Sequence, residues 1–156
     1  SDSANALWTY CMEQSIQPCG LGARDSLRLE AGLNLYGTDM NEDTSPFASN
    51  LGWTVCLKDH ERDFIGKAAL VQQKRAGSPH QLIGVIMRSP GVLRCNQPIF
   101  NEGTLVGTIT SGGYSPTLEC SIGMARLPST LSNQLTIDRR GRYVPIEIHP
   151  LPFLSK

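Results

Sequence analysis

"GARDSLRLEAGLNLYG", residues 22–37, decides how the first half of the chain is read, because it fits two periods. As a strand, Leu27, Leu29, Ala31, Leu33 and Leu35 alternate onto one face, and Glu30 falls on the other with Ser26, Arg28 and Asn34. As a helix, at about 100° per residue, Arg24, Asp25 and Arg28 form one polar arc. Ala23, Leu27, Leu29, Ala31 and Leu33 then cover much of the opposite arc, with Glu30 near its centre. Residues 23–31 contain no β-branched or aromatic side chain and consist mostly of Ala, Arg, Leu and Glu, all strong helix formers. The helix is favoured, and Glu30 becomes an acid facing inward.

Such an acid needs donors, since burying it unpaired costs several kcal/mol. One reading makes Glu30 a core carboxylate paired with a nearby arginine. The other makes it a ligand contact: its two parallel acceptors match the neighbouring amino and ring N–H donors of an aminopyrimidinone.

On either side of this stretch, "ANALWTYCMEQ" (4–14) has Leu7, Tyr10 and Cys11 at helical spacing, and Pro18-Cys19-Gly20 follows as a stop. "GKAALVQQKRAG" (66–77) is a second amphipathic candidate, and "LGWTVCL" (51–57) reads as a short strand. The character changes near Gly77-Ser78-Pro79-His80. Beyond it come short apolar runs at 82–87, 105–110, 121–127, 135–138 and 144–148, separated by turns such as Ser89-Pro90-Gly91, Asn101-Glu102-Gly103 and Arg140-Gly141. This spacing predicts a small antiparallel barrel or sandwich, with Pro145 at an edge or bulge.

Fourteen basic residues balance fourteen acidic ones, so no bulk field draws in nucleic acid or an anionic membrane, and recognition must be local. No apolar run is long enough to span a bilayer, and no basic-then-apolar leader opens the sequence. The five cysteines, Cys11, Cys19, Cys56, Cys95 and Cys120, include no CxxC pair and read as free thiols of a reducing compartment. His60, His80 and His149 are equally dispersed, and no metal cluster is expected. Gly112-Gly113 within "TSGGYSPTL" lacks the Lys-Ser/Thr of a phosphate loop, so a β-connection is predicted there.

Taken in order, "PCGLGARDSLRLEAGLNLYGTDM" (18–40), "SPFASNLGWTV" (45–55), "RDFIGKAAL" (62–70), "GVLR" (91–94), "GTITSGGYSPTL" (107–118) and "SIGMARLP" (121–128) resemble the aminomethyltransferase family, the T-protein of the glycine cleavage system. Members are more than twice this long, and the chain resembles their C-terminal part. The resemblance implies an α+β fold: residues 1–80 as the end of an α/β folate-binding region, and 81–156 as a C-terminal antiparallel β-barrel. It implies an enzyme with tetrahydrofolate as co-substrate and the lipoylated H-protein as partner. The enzyme takes the lipoyl-borne aminomethyl group, releases ammonia and leaves 5,10-methylenetetrahydrofolate, in a bacterial cytoplasm or a mitochondrial matrix.

The family's catalytic aspartate lies in the N-terminal portion, so no catalytic residue is assigned here, and the isolated chain is expected to be inactive and open to self-association. The resemblance places a pterin-binding acid at Glu30, which favours the ligand reading, and a folate-contacting arginine near the "DFIG" segment, for which Arg62 is the nearest candidate. Arg94, on the "GVLR" turn, can meet a folate carboxylate as a planar bidentate donor or stand as an exposed turn cation. The tyrosine that some members carry at the extreme C-terminus has no counterpart after Phe153. Tyr36 and Trp53 are read as core aromatics in preference to pterin-stacking ones. The rival function is a non-catalytic folate-binding relative of the iron–sulfur assembly or tRNA-modification type.

Overall fold

The computed structural model describes residues 2–59, 61–130 and 134–154. Three helices, α1 (Asp2–Glu13), α2 (Leu21–Glu30) and α3 (Lys67–Ala76), precede six strands: β1 (His80–Met87), β2 (Pro98–Asn101), β3 (Thr104–Ser115), β4 (Cys120–Pro128), β5 (Leu135–Arg139) and β6 (Arg142–His149). The strands are antiparallel and close into a barrel in the order β1-β4-β3-β2-β5-β6, with β6 returning to β1. Closure leaves only short stretches of free sheet edge to template aggregation.

Alternation along the strands sorts the apolar residues into two cores. Val85, Met87, Leu93, Ile99, Ile109, Ala125, Leu127, Leu135, Ile137 and Ile146 fill the barrel. Leu82, Ile86, Ile122 and Met124 face outward and, with Leu29 and Phe153, form the layer between α2 and the barrel wall. Glycines make room where chains cross. A Cβ on Gly84 would come within 2.6 Å of the His149 carbonyl and 3.0 Å of the Phe153 ring, so the 149–153 segment can lie across β1. The Phe153 N–H then donates to the Glu30 carbonyl at 3.0 Å, satisfying one of the orphan acceptors at the end of α2.

The hairpin turns follow their glycines. Glu102-Gly103 and Arg140-Gly141 both take positive φ, the pattern of a type I′ turn whose twist matches the flanking strands. Pro145 lies opposite Thr136 of β5, and the register of β6 with β1 involves only residues 147–149. The proline therefore sits where its strand is paired on one side, as its missing N–H requires.

Four readings are corrected. Residues 51–57 form no strand: Gly52–Thr54 is a 3-10 turn, closed by Thr54 and Val55 N–H groups donating to Leu51 and Gly52. β propensity there has no partner strand to act on. "TSGGYS" is not a connection but the end of the long strand β3, and β2 escaped notice because Pro98 opens it and only four residues compose it. Leu27 and Leu33 are exposed, because α2 ends at Glu30 and presents Leu29 and Glu30, not the whole leucine arc, to the barrel. Trp53, at 84% exposure, and Tyr36, at 65%, are not core residues.

Candidate functional site

A β-bulge organises the surface beneath α2. Ile109 pairs with Ala125 and Ser111 with Met124, so Thr110 is the extra residue in β3. Before the bulge, Ile109 points into the barrel; after it, Ser111, Gly113 and Ser115 stand opposite or beside outward-facing partners and lie under α2. Gly113 brings β3 close to the helix, with its Cβ position 3.5 Å from Leu29 Cδ2. One added residue thus moves two hydroxyls from the barrel interior to the helix interface.

Those hydroxyls meet the two acids of the site. Glu30 is 3% exposed. Its Oε1 accepts from Ser115 Oγ at 2.5 Å and Thr117 N at 3.4 Å, and its Oε2 accepts from Thr117 Oγ1 at 3.2 Å. The inward orientation follows from the helix phase, but the partners are hydroxyls and an amide of the β3–β4 connection, not the arginine that a core pair predicted.

Asp39 is fully buried. Its Oδ2 accepts from Arg28 Nη1 at 3.0 Å, Ser111 Oγ at 2.8 Å and Leu35 N at 2.8 Å, whereas Oδ1 has no partner among the described residues. Arg28 also donates through Nε to Asp25 at 2.7 Å. On the other flank, Arg126 donates to the Ala48 carbonyl at 2.9 Å and the Asp39 carbonyl at 2.6 Å, and so binds the 39–49 loop to β4. Burial draws the Arg126 guanidinium down from the usual arginine range, and the charge of Asp39 opposes that shift. Neither Asp39 nor Arg126 was singled out from the sequence. The signal was there in "LYGTDM", a buried-side acid in a turn, but its partners come from β3 and β4.

Arg94 lies in the loop between β1 and β2, against Gly112 of β3. A Cβ on Gly112 would sit 2.5 Å from the Leu93 carbonyl and 2.9 Å from Arg94 N, so the glycine admits the 93–94 turn. Leu93 N donates to Ser121 Oγ at 2.8 Å, which holds the turn against β4. The Arg94 side chain is exposed and lines a cleft with Arg139, Arg140 and Arg142. Arg62 is also exposed and lines a separate 250 Å³ cavity with Thr54, Val55, Cys56, Phe64 and Leu70. Arg62 and Arg94 therefore line different cavities, and Glu30 lines neither of them.

Nearby, Tyr36 Oη donates to Glu42 Oε2. This bond holds the Glu42 carboxyl below its usual range and the Tyr36 phenol above its own. A lowered acid contributes stability above its unfolded pKa and loses it as pH falls through the folded value. A raised phenol contributes below its unfolded pKa and loses it as pH rises through the folded value. The 36–42 turn is therefore tightest between the two titrations. In ultraviolet titration, Glu42→Gln is expected to bring the Tyr36 phenol back towards its ordinary range; an unchanged Tyr36 titration counts against the contact.

A closed six-stranded barrel with a helix laid across its outer wall is also the arrangement in a crystal structure of glycine cleavage system aminomethyltransferase T from Bartonella henselae. That structure matches 98% of this chain and 44% of its own with a TM-score of 0.88 at 32% identity. The family profile described as "Glycine cleavage T-protein C-terminal barrel domain" matches residues 80–154, and the "GCVT N-terminal domain" profile matches residues 1–59. The chain belongs to the glycine cleavage T-protein family. Among curated relatives, the aminomethyltransferase of Stenotrophomonas maltophilia (strain K279a) is 48% identical over 99% of this chain and 41% of its own length. That of Methylococcus capsulatus is 48% identical over 88% of this chain and 38% of its own. The chain spans about two-fifths of the length of these relatives.

Proposed function

We propose that this chain forms part of a folate-dependent aminomethyltransferase, which passes the methylene of the aminomethyl-lipoyl H-protein to tetrahydrofolate and releases ammonia. The observation that carries the proposal is the 48% identity, over 99% of the chain, to a relative named aminomethyltransferase. That name favours transfer chemistry over a non-catalytic folate-binding relative. Tetrahydrofolate as co-substrate, the lipoylated H-protein as partner and a cytoplasmic setting belong to the same proposal. So does the division into a folate-binding region, 1–80, and a barrel domain, 81–156. No described helix is long and apolar enough to cross a membrane. Exposed Leu7, Trp8, Tyr10 and Met12 on α1 support covering of that helix by further protein, either the remainder of a longer chain or a second copy.

The expected folate contacts divide by geometry. Arg62 and Arg94 are exposed and have no carboxylate in ion-pair range among the described residues, so both are available to a folate carboxylate. Glu30 already accepts from Ser115 and Thr117, so a pterin donor has to share its oxygens with them. The geometry favours Glu30 as a positioning residue that holds α2 in place behind the ligand wall.

The test mixes this chain with H-protein, tetrahydrofolate and the aminomethyl donor, with and without the remaining portion of a full-length relative, and measures ammonia. Transfer requires acceptor, aminomethyl carbon and catalytic group held together, an organisation worth about 7–11 kcal/mol of barrier. Turnover is expected only with the added portion. A stable complex of the two portions that releases no ammonia overturns the proposed function.

A further inference from the structure

We propose that the cleft between the 89–97 loop and the β5–β6 hairpin binds a small multivalent anion carrying two or more carboxylate or phosphate groups. The cleft has a volume of 930 Å³ and is lined by Arg94, Arg139, Arg140 and Arg142. Its one acid, Asp138, already accepts from Gly141 N at 2.7 Å. Among the described residues, no carboxylate lies within ion-pair distance of any of the four guanidiniums. The chain as a whole is neutral, with fourteen positive and fourteen negative residues, so this concentration of charge is local.

Two features make the cluster more than a solvated hairpin. Arg139 and Arg142 stand directly opposite each other in the β5–β6 ladder, where like charges repel. A bound anion relieves that repulsion. Arg139 is also held in place: a Cβ on Gly91 would come within 2.5 Å of its guanidinium, and its Nη1 donates to the Pro90 carbonyl. A fixed planar donor flanked by exposed ones suits paired oxygens on a single ligand. The cleft volume exceeds what one carboxylate fills. This site goes beyond the folate contact expected of Arg94 alone and is tested with probes that carry no pterin.

The 156-residue chain is titrated at low ionic strength with tripolyphosphate and, separately, with citrate. Binding is followed by calorimetry and by amide shifts. Saturable one-to-one binding of at least one probe is expected, with shifts centred on residues 91–94 and 138–142. Preference for citrate assigns the site to organic acids, and preference for tripolyphosphate assigns it to phosphate chains. Arg140→Ala and Arg142→Ala should each weaken binding by about three- to tenfold, and Arg142→Lys should restore it only in part. Arg88→Ala removes an exposed arginine that pairs with Glu147 outside the cleft, and should change nothing. Arg142→Ala removes the repulsion with Arg139, and Arg140 and Arg142 are both exposed, so the variants are expected to fold, which thermal unfolding checks. Failure of both probes to saturate, or equal affinity in the Arg140→Ala/Arg142→Ala double variant, overturns the proposal. An adventitious charge effect shared by Arg88→Ala does so as well.

Discussion

Replacing Asp39 with alanine is expected to lower the stability of the chain by about 3–5 kcal/mol, the usual cost of removing one partner from a buried ion pair. Asp39 Oδ2 is the common acceptor for Arg28, Ser111 and the Leu35 amide. Its loss leaves the Ser111 hydroxyl and the Leu35 N–H without their acceptor, and leaves the nearly buried Arg28 guanidinium with the half-exposed Asp25 as its remaining carboxylate. It also removes the carboxylate that opposes the desolvation of Arg126. Asp25→Ala is the control. Asp25 bonds the same arginine, but its side chain is 48% exposed, so its removal should cost no more than about 1 kcal/mol. Urea unfolding of both variants measures the difference, and equal losses would contradict the reading of Asp39 as the anchor between α2 and the barrel.

Glu30→Ala should cost about 1–3 kcal/mol, because the buried Ser115 Oγ loses its acceptor, whereas the exposed Thr117 hydroxyl can turn to water. Glu30→Gln should cost only about 1 kcal/mol. The amide oxygen can still accept from Ser115, and the amide nitrogen can donate to the Thr117 hydroxyl, which accepts as readily as it donates. The same pair of variants separates the two roles for this acid. A direct pterin contact predicts that Glu30→Gln, assayed in a full-length protein, weakens tetrahydrofolate about ten- to hundredfold, since an amide donor then faces ligand donors. A positioning role predicts near-normal affinity in Glu30→Gln and loss only in Glu30→Ala.

Much of the architecture was legible along the chain. The helix over 21–30 followed from composition, and α3 from a run of good helix formers bounded by Gly66 and Gly77, both of which take positive φ. Five of the strands were visible as alternating runs between turn signals. The strand at 98–101 was not, because four residues opening on proline carry too little period. The apparent strand at 51–57 failed for the opposite reason: its composition suited β structure, yet no neighbouring strand was there to pair with it. Arg62 and Arg94 were read as folate-contact candidates, and both are exposed. Arg139, Arg140 and Arg142 form a cleft with Arg94 because barrel closure brings the β5–β6 hairpin beside a loop more than forty residues earlier in the chain.

That Glu30 faces inward follows from helix phase and propensity, which are local properties of the chain. What Glu30 meets there was decided by the tertiary structure. One bulge at Thr110 reverses the parity of β3, and that reversal places Ser111 under Arg28 and Asp39 and Ser115 under Glu30. A bulge leaves no periodic trace in so short a strand, because the extra residue is defined only by the partner it fails to pair with. The partners of both buried acids therefore exist only once β3 has found β4 and α2 has settled on the wall they form.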